Sequence, residues 1–474
     1  MTIDRKKVVV IGGGITGLTA AYYLQKEAKE NELPLDILLI EGTHRLGGKM
    51  QTYKKDGYTI ERGPDSFFKS NEYVHRLIHN LGLNNQVISN KTGKYGILVN
   101  NKLYPIPKSN SLGSIMAIRP FVFSNLFSTV GKLRAAGDLV IPKSSQENDD
   151  QSLGEFIKRR VGKEVLDHLV DPILTSIYAG DVDQMSLMAT LPTYYEMEQK
   201  YRSLIIGLSK HSKENKWLED IQINQDSFQS LVGGLQSLAD AIEEQLVKDS
   251  IILGTSVTSI EKIGQGYMLQ LSSKQIIYAD AIISAVPHQA LLNIFPNEPV
   301  FEPLKKIQAT TVANIALVFD EKAIKEDIDG IGFAVARNND YTITTATWTH
   351  KKWPHSTPKG KALLRLYVGR PGDESCVDLP DEELINLVLS DLNKTMNITQ
   401  KPEIYVISRW KDSMTQYNVG HLHLIEQVKK NTTTQFPGVY LCGASFDGRA
   451  VPDCIKQGEK VVYDVLQYLK LNNN

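Results

Sequence analysis

The chain has 474 residues, enough for two or three domains, and its 53 basic and 54 acidic side chains leave a formal net charge of −1. That balance argues against nucleic acid as a charge-recruited partner, and 42% hydrophobic residues with a mean hydropathy of −0.23 describe a soluble chain with sizeable cores. Cys376, Cys442 and Cys454 show no CxxC spacing and the ten histidines no HExxH, which points to a reducing, cytoplasmic compartment and away from any metal.

In chain order, Lys6 to Ile11 reads as a buried parallel strand, a charged start followed by a β-branched run. It leads into Gly12-Gly13-Gly14-Ile15-Thr16-Gly17, the GxGxxG spacing, and a helix with Leu18, Ala21 and Leu24 at helical spacing. In such a turn Gly12 allows the tight exit and Gly14 lets the backbone approach a pyrophosphate. Gly17 lets the helix pack close, and its first-turn N–H groups face the phosphates. A second strand, Asp36 to Ile40, ends in Glu41, a carboxylate placed for a ribose hydroxyl that would repel the 2′-phosphate of NADP. Glu41 lies 24 residues beyond Gly17, the extra length being the polar insert KEAKENELP. RKKVVVIGGGITGLTAA superficially resembles a secretory leader, but three adjacent glycines make a poor helical segment, so it reads as mature protein.

HRLGGKMQT follows, with Gly47 and Gly48 in a turn and Lys49 beyond, then DGYTIERGPDSFF, where an alternating strand runs into Gly63-Pro64-Asp65-Ser66. A helix from about Ser70 presents Val74, Leu77, Ile78 and Leu81 on one face and stops at Gly82. Short strands fill roughly 85–110. The stretch 111–215 reads as mostly helical, with apolar faces such as Leu153, Phe156, Ile157 and Val161, and with KSSQENDDQ and SKHSKENKWLED as loops. Its most lipophilic window, SIMAIRPFVFSNLF, is broken by Arg119 and Pro120 and is too short to span a bilayer.

Beyond 230 a glycine turn precedes a helix with Leu235, Leu238, Ala239, Ile242 and Leu246 inward, and several strands run to Pro287. Strands and helices then mix, including TTVANIALVFD and ALLRLYVGR; His288 and the HLH at 421–423 read as surface or core residues. At the end, Val439 to Cys442 forms a strand leading through Gly443-Ala444 into a helix with Ile455, Val462, Leu466 and Leu469 on one face and Asp453 placed to cap it. Its positive end would face the N1–C2=O edge of a flavin, where negative charge gathers on reduction. Phosphates held at one end of the chain and a ring at the other point to FAD.

VVVIGGGITGLTAAYYL, RLGGKMQT, KKDGYTIERGPDSF, DDQSLGEFIKRRVG, DPILTSIYAGD, TWTHKKWPH and GASFDG with PDCI resemble, over essentially the whole chain, the bacterial oxygen-dependent coproporphyrinogen III oxidases of the protoporphyrinogen oxidase family of flavoproteins. The resemblance implies an α/β protein of flavin amine oxidase-like architecture. Its parts would be a Rossmann-type FAD-binding domain from 1–84, 225–300 and 430–474, an inserted mixed α+β substrate domain from 85–110 and 301–429, and a helical domain, 111–224, able to touch membrane. It further implies six-electron oxidation of coproporphyrinogen III, and also of protoporphyrinogen IX, in haem biosynthesis. Oxygen would be the acceptor, hydrogen peroxide the by-product and a ferrochelatase the recipient of the product. By motif, Gly12, Gly13, Gly14, Ile15, Thr16 and Gly17 would meet the pyrophosphate, and Glu41 with Gly42 the ribose. Lys49, Gly63, Pro64, Asp65 and Ser66 would lie near the isoalloxazine, Val257 on the adenine side and Trp410 beside the cofactor. Arg449, Ala450 and Val451 would close over the ring. That segment departs from the family pattern of a small apolar residue, Gly and an aliphatic residue before Pro-Asp-Cys. Arg449 there would add a cation near N1 or a substrate carboxylate, or else point to solvent.

Substrate propionates call for cations. Lys69, Arg337, Arg365, Arg370 and Arg449 are the candidates, each open to a solvated surface reading, and Tyr367 faces either the macrocycle or the core. No residue is assigned as catalyst, because a C–H between electron-rich pyrroles leaves as hydride with little help and the cofactor carries the hard chemistry. An amine oxidase, a carotenoid desaturase and a flavin protein that holds porphyrin without turnover are the competing readings, the last favoured by the DGRAV loop.

Overall fold

The computed structural model describes residues 5–91, 94–106, 118–144, 150–214, 227–326, 329–337 and 340–471. Strand Lys6–Ile11 sits at the centre of a five-stranded, all-parallel sheet. The order is Ile251–Ile252, Leu35–Ile40, Lys6–Ile11, Ala281–Ser284 and Val439–Leu441. Such a strand is covered on both faces, and Val8, Val9 and Val10 are fully buried. Val8 and Val10 belong to the core that packs against helices Ile15–Glu30, Glu72–Asn80, Gln236–Gln245 and Val451–Tyr468. Val9 and Ile11 face the opposite core, built with the antiparallel strands between Val257 and Ala279 and with helices His288–Ile294 and His421–Gln435.

A second sheet of seven strands runs in the order Ile404–Thr415, Ala309–Asp320, Lys361–Val368, Ile343–Trp348, Gly332–Val335, Tyr95–Val99 and Lys102–Pro105. Its pairs are antiparallel except Gly332–Val335 with Tyr95–Val99. Helices between Ile118 and Glu214 pack on one end of this sheet through Ile97, Val99, Ala334 and Ala336. Their core is fastened by charge. Arg160, fully buried, meets Asp138 at 2.5 Å and Glu198 at 3.3 Å, and Arg159 closes the set on Glu198 at 2.7 Å.

Several boundaries differ from the sequence reading. The helix expected from Ser70 begins at Glu72 because the Asn71 side chain accepts from the Val74 N–H and caps it there. Ser209 to Glu214, read as loop, continue the helix Leu204–Glu214, while 215–220 of that stretch lie outside the described residues, as do 145–149 of KSSQENDDQ. Of the lipophilic window, residues 114–117 also lie outside, and Ile118–Phe123 is helical. Asp453 sits in the first turn of the C-terminal helix rather than before it, and its Oδ2 accepts the Ala450 N–H at 3.2 Å. No described helix is long and apolar enough to cross a membrane.

Candidate flavin and substrate site

The glycine turn is shaped by contact. A Cβ on Gly17 would lie 1.9 Å from the Gly12 carbonyl oxygen, so any larger residue would push the helix off the strand. A Cβ on Gly14 would meet nothing within 4 Å; the backbone there borders open space at the start of Ile15–Glu30. That is the arrangement a pyrophosphate needs, with a bare backbone and free helix N–H groups facing room to spare. Ile15 and Thr16, buried, open the helix. Glu41 has a part the sequence did not disclose. Its Oε2 accepts the Gly13 N–H at 2.7 Å and its Oε1 accepts both the N–H and the hydroxyl of Thr43 at 2.8 Å, so the carboxylate braces the turn. The Glu41 carbonyl accepts the Thr255 N–H at 3.1 Å, which brings Val257, buried, to the same end of the sheet, and Gly42 is exposed beside it.

Lys49 reaches across to the Ser413 carbonyl, with Cys454 and Arg449 as its charged or polar neighbours. Its side chain is exposed. Desolvation brings its ammonium down to about 8, with Arg449 adding to the drop. Ile177, 50% exposed, and Tyr178 lie beside Arg449.

The turn Gly63 to Ser66 is held from beneath by two cations. Lys352 meets the Asp65 carboxylate at 3.0 and 3.2 Å and Ser66 Oγ at 3.1 Å, and Arg365 meets Asp65 at 3.2 Å. Arg365 also donates to the Gly63 carbonyl at 2.7 Å and to the Tyr367 hydroxyl at 2.6 Å, and the Ser66 hydroxyl donates to Asp65 at 2.7 Å. Burial alone would raise the Asp65 carboxyl, but Lys352 and Arg365 outweigh it and hold the group well below the usual carboxylate range. Lys352 was missed as a site residue, although it stands in TWTHKKWPH, because its partner lies 287 positions away. Trp410 steadies the same turn from the other side, its indole N–H donating to the Arg62 carbonyl at 2.9 Å. Tyr95 bonds Thr345 Oγ1 at 2.5 Å, and Thr345 pairs with Tyr367 across the strands.

Arg449 does not reach solvent as its main contact. Its guanidinium stacks 4.1 Å from the Tyr178 ring and donates to the carbonyls of Ile177, Tyr178 and Thr415 at 2.8, 3.0 and 3.2 Å. It therefore ties the C-terminal end of helix Asp171–Tyr178 to the loop before Val451–Tyr468. Ala450, exposed and extended, and Val451, buried, then start that last helix.

The other cations disperse. Arg337 is paired with Asp181 at 2.6 Å and Asp183 at 3.1 Å, and Arg370 donates to the Tyr341 carbonyl at 3.2 Å. Arg365 is 1% exposed, and neither it nor Arg337 meets a propionate without giving up an ion pair. Tyr367 is half-buried, its hydroxyl turned to Arg365, and Lys69 is exposed just past strand Phe67–Phe68. Among the described residues no group of His, Cys, Asp and Glu could hold a metal ion.

Comparison with known proteins bears on what such a site is for. The model of the family described as "Flavin containing amine oxidoreductase" matches residues 15–466. The chain belongs to that family. It is 48% identical, over 99% of its own length and 100% of the relative's, to coproporphyrinogen III oxidase of Bacillus subtilis. The figure is 38%, over 98% and 100%, for coproporphyrinogen III oxidase of Staphylococcus aureus. A solved structure from Exiguobacterium sp. 255-15 superposes with a TM-score of 0.86 at 34% identity, covering 99% of this chain and all of the other. The flavin amine oxidase-like fold, oxidoreductase class and FAD cofactor expected from the motifs follow from this membership.

Proposed function

We propose that the chain oxidises coproporphyrinogen III to coproporphyrin III with FAD, passing the electrons to oxygen as hydrogen peroxide. The observation that carries the reading is the 48% identity, end to end, with a relative of that name. We assign the pyrophosphate to Gly12 through Gly17, the ribose to Glu41 with Gly42, and the adenine side to Val257. The isoalloxazine falls to Lys49, Gly63 to Ser66, Trp410 and the segment Arg449 to Val451.

FAD, when bound, supplies the hydride acceptor, and the chain's residues position and shield. Asp65, pinned by Lys352 and Arg365, keeps the Gly63 to Ser66 backbone stiff, so a macrocycle meets a fixed surface rather than a mobile loop. Tyr367 offers a hydroxyl beside that turn, and Ile177 and Tyr178, next to Arg449, offer apolar and aromatic surface. Of the candidate cations, Lys69 keeps an exposed ammonium without a partner among the described residues, and we assign it a propionate. Peripheral membrane contact through the helices after residue 118 is supported by exposed Phe123, Val130, Leu133 and Val140. It would deliver the product towards a ferrochelatase in the cytoplasm or at the membrane surface.

An aerobic assay of the FAD-loaded chain tests the reading. Porphyrin emission and peroxide should appear together from coproporphyrinogen III, with about three peroxides per porphyrin because each flavin cycle removes two electrons. Porphyrin formed at the rate of the enzyme-free control, or turnover of amines alone, overturns it.

A further inference from the structure

The loop Gly443 to Gly448 joins the last strand of the parallel sheet to the C-terminal helix, and it has no regular structure of its own. Gly443, Ser445 and Phe446 are buried, so their backbone groups need partners that neither helix nor sheet provides. The Phe446 N–H pairs with the Gly443 carbonyl at 3.0 Å, and side chains serve further groups of the loop. Gln457 accepts the Gly443 N–H at 2.9 Å and donates to the Gly448 carbonyl at 2.8 Å. The Tyr417 hydroxyl donates to the Ala444 carbonyl at 2.8 Å and accepts the Gly448 N–H at 3.0 Å. His421 Nε2 donates to the Phe446 carbonyl at 3.1 Å, and its ring stacks on Tyr417 at 4.2 Å with 15° between planes. His288 grips Ser445 twice: its backbone N–H donates to Ser445 Oγ at 3.2 Å and its Nδ1 lies 3.0 Å from the same oxygen. Since His288 Nε2 donates to the Ile307 carbonyl at 3.1 Å, the neutral ring leaves Nδ1 to accept the Ser445 hydroxyl.

We propose that His288, Tyr417 and His421 are positioning residues for the flavin, fixing the loop Gly443 to Gly448 and thereby the N-terminus of helix Val451–Tyr468. The inference rests on the siting of the ring at that helix end given under Proposed function. It assigns work to the two histidines that the sequence left as surface or core; His421 donates from Nε2 in either protonation state, but His288 must stay neutral for its Nδ1 to accept the Ser445 hydroxyl. The surroundings favour that state. Burial lowers the pKa of each below the ordinary 6.5, and for His288 the nearby His421 adds to the effect. The groups facing His288 are Ser445, Thr415 through Ser445, the Ile307 carbonyl and His421. Those facing His421 are Tyr417, the Phe446 carbonyl, Asp447, which is paired with Lys429, and Asp150. A protonated His288 would point an N–H at Ser445 and force that hydroxyl to turn to Thr415 Oγ, 3.4 Å away.

The test uses the FAD-loaded chain and reads the visible circular dichroism of the oxidised flavin and the Kd for FAD. His421→Leu removes the donor to Phe446, whereas His421→Gln keeps an N–H near the Nε2 position; Leu392→Ala damages the distant core of the seven-stranded sheet. His421→Leu should alter the flavin dichroism and weaken FAD at least tenfold, and His421→Gln should restore both. Leu392→Ala should lower the melting temperature with the flavin signal unchanged. In the parent chain FAD affinity should fall as pH drops below 6.5, and less so in the double variant His288→Gln, His421→Gln. Asp453→Asn, at the helix N-terminus itself, reports the siting. If Asp453→Asn shifts the flavin signal and His421→Leu does not, the positioning role is wrong. If neither shifts it, the ring lies elsewhere and the siting fails with it.

Discussion

Glu61 shows how one buried carboxyl writes a pH dependence into the fold. It is 7% exposed, and desolvation pushes its pKa up to about 7, although the Leu235 N–H and the Thr52 hydroxyl both donate to it. The ordinary value of 4.5 applies to the unfolded chain, which therefore holds fewer protons than the folded one between pH 4.5 and about 7. Stability must fall as pH rises through that window, by about 3 kcal/mol in the limit. Glu61→Gln keeps an acceptor for Leu235 and carries no charge. It should match the parent near pH 5 and exceed it at pH 8 in urea midpoint; equal slopes against pH for both chains would refute the assignment. Such a residue is not legible in the sequence. Nothing in TIERG marks Glu61 as buried, just as nothing in KKW marks Lys352 as the partner of Asp65, because both facts depend on chain segments far apart in number.

Among elements, the first strand, Lys6–Ile11, and the glycine turn after it were readable at the residue level, and for a local reason. A β-branched run, three glycines and a helical face specify one another without help from the rest of the chain. The order of the seven-stranded sheet was not readable, since it pairs Tyr95–Val99 with Gly332–Val335 across more than two hundred residues. The polar run through Glu214 hid a helical end, because its helicity comes from packing of Leu204 and Leu208 rather than from composition. Gly17 tests the first of these elements. Gly17→Ala places a methyl 1.9 Å from the Gly12 oxygen and must part helix from strand at a cost of about 1–3 kcal/mol. The variant should fold, with far-ultraviolet dichroism like the parent, yet purify colourless or with FAD bound at least tenfold more weakly. A yellow variant with parent affinity would show that the turn does not hold the dinucleotide.

At the scale of the whole molecule, the hairpin of Thr52–Lys55 and Tyr58–Glu61 meets the seven-stranded sheet where Arg62 bonds Ser408 at 2.9 Å and Asn314 bonds the Glu61 carbonyl at 3.0 Å. The helices after residue 118 extend from the far end of the seven-stranded sheet, with Phe123 81%, Val130 76%, Leu133 70% and Val140 72% exposed. We propose that these exposed apolar side chains form a contact surface. If the surface meets lipid, the chain should float with vesicles carrying anionic lipid, and Val130→Asp with Leu133→Asp should abolish flotation without loss of FAD. Flotation unaffected by the two substitutions would place the contact elsewhere.

We propose that the stiffened turn Gly63 to Ser66, with Tyr367 beside it, presents a porphyrinogen to a flavin, and anaerobic single-turnover mixing addresses that directly. With oxygen absent, coproporphyrinogen III should bleach the yellow FAD-loaded chain and fluorescence from oxidised tetrapyrrole should rise with the same time course, faster than with protoporphyrinogen IX. A flavin that stays oxidised with both substrates, in a chain fully loaded with FAD, would contradict the account.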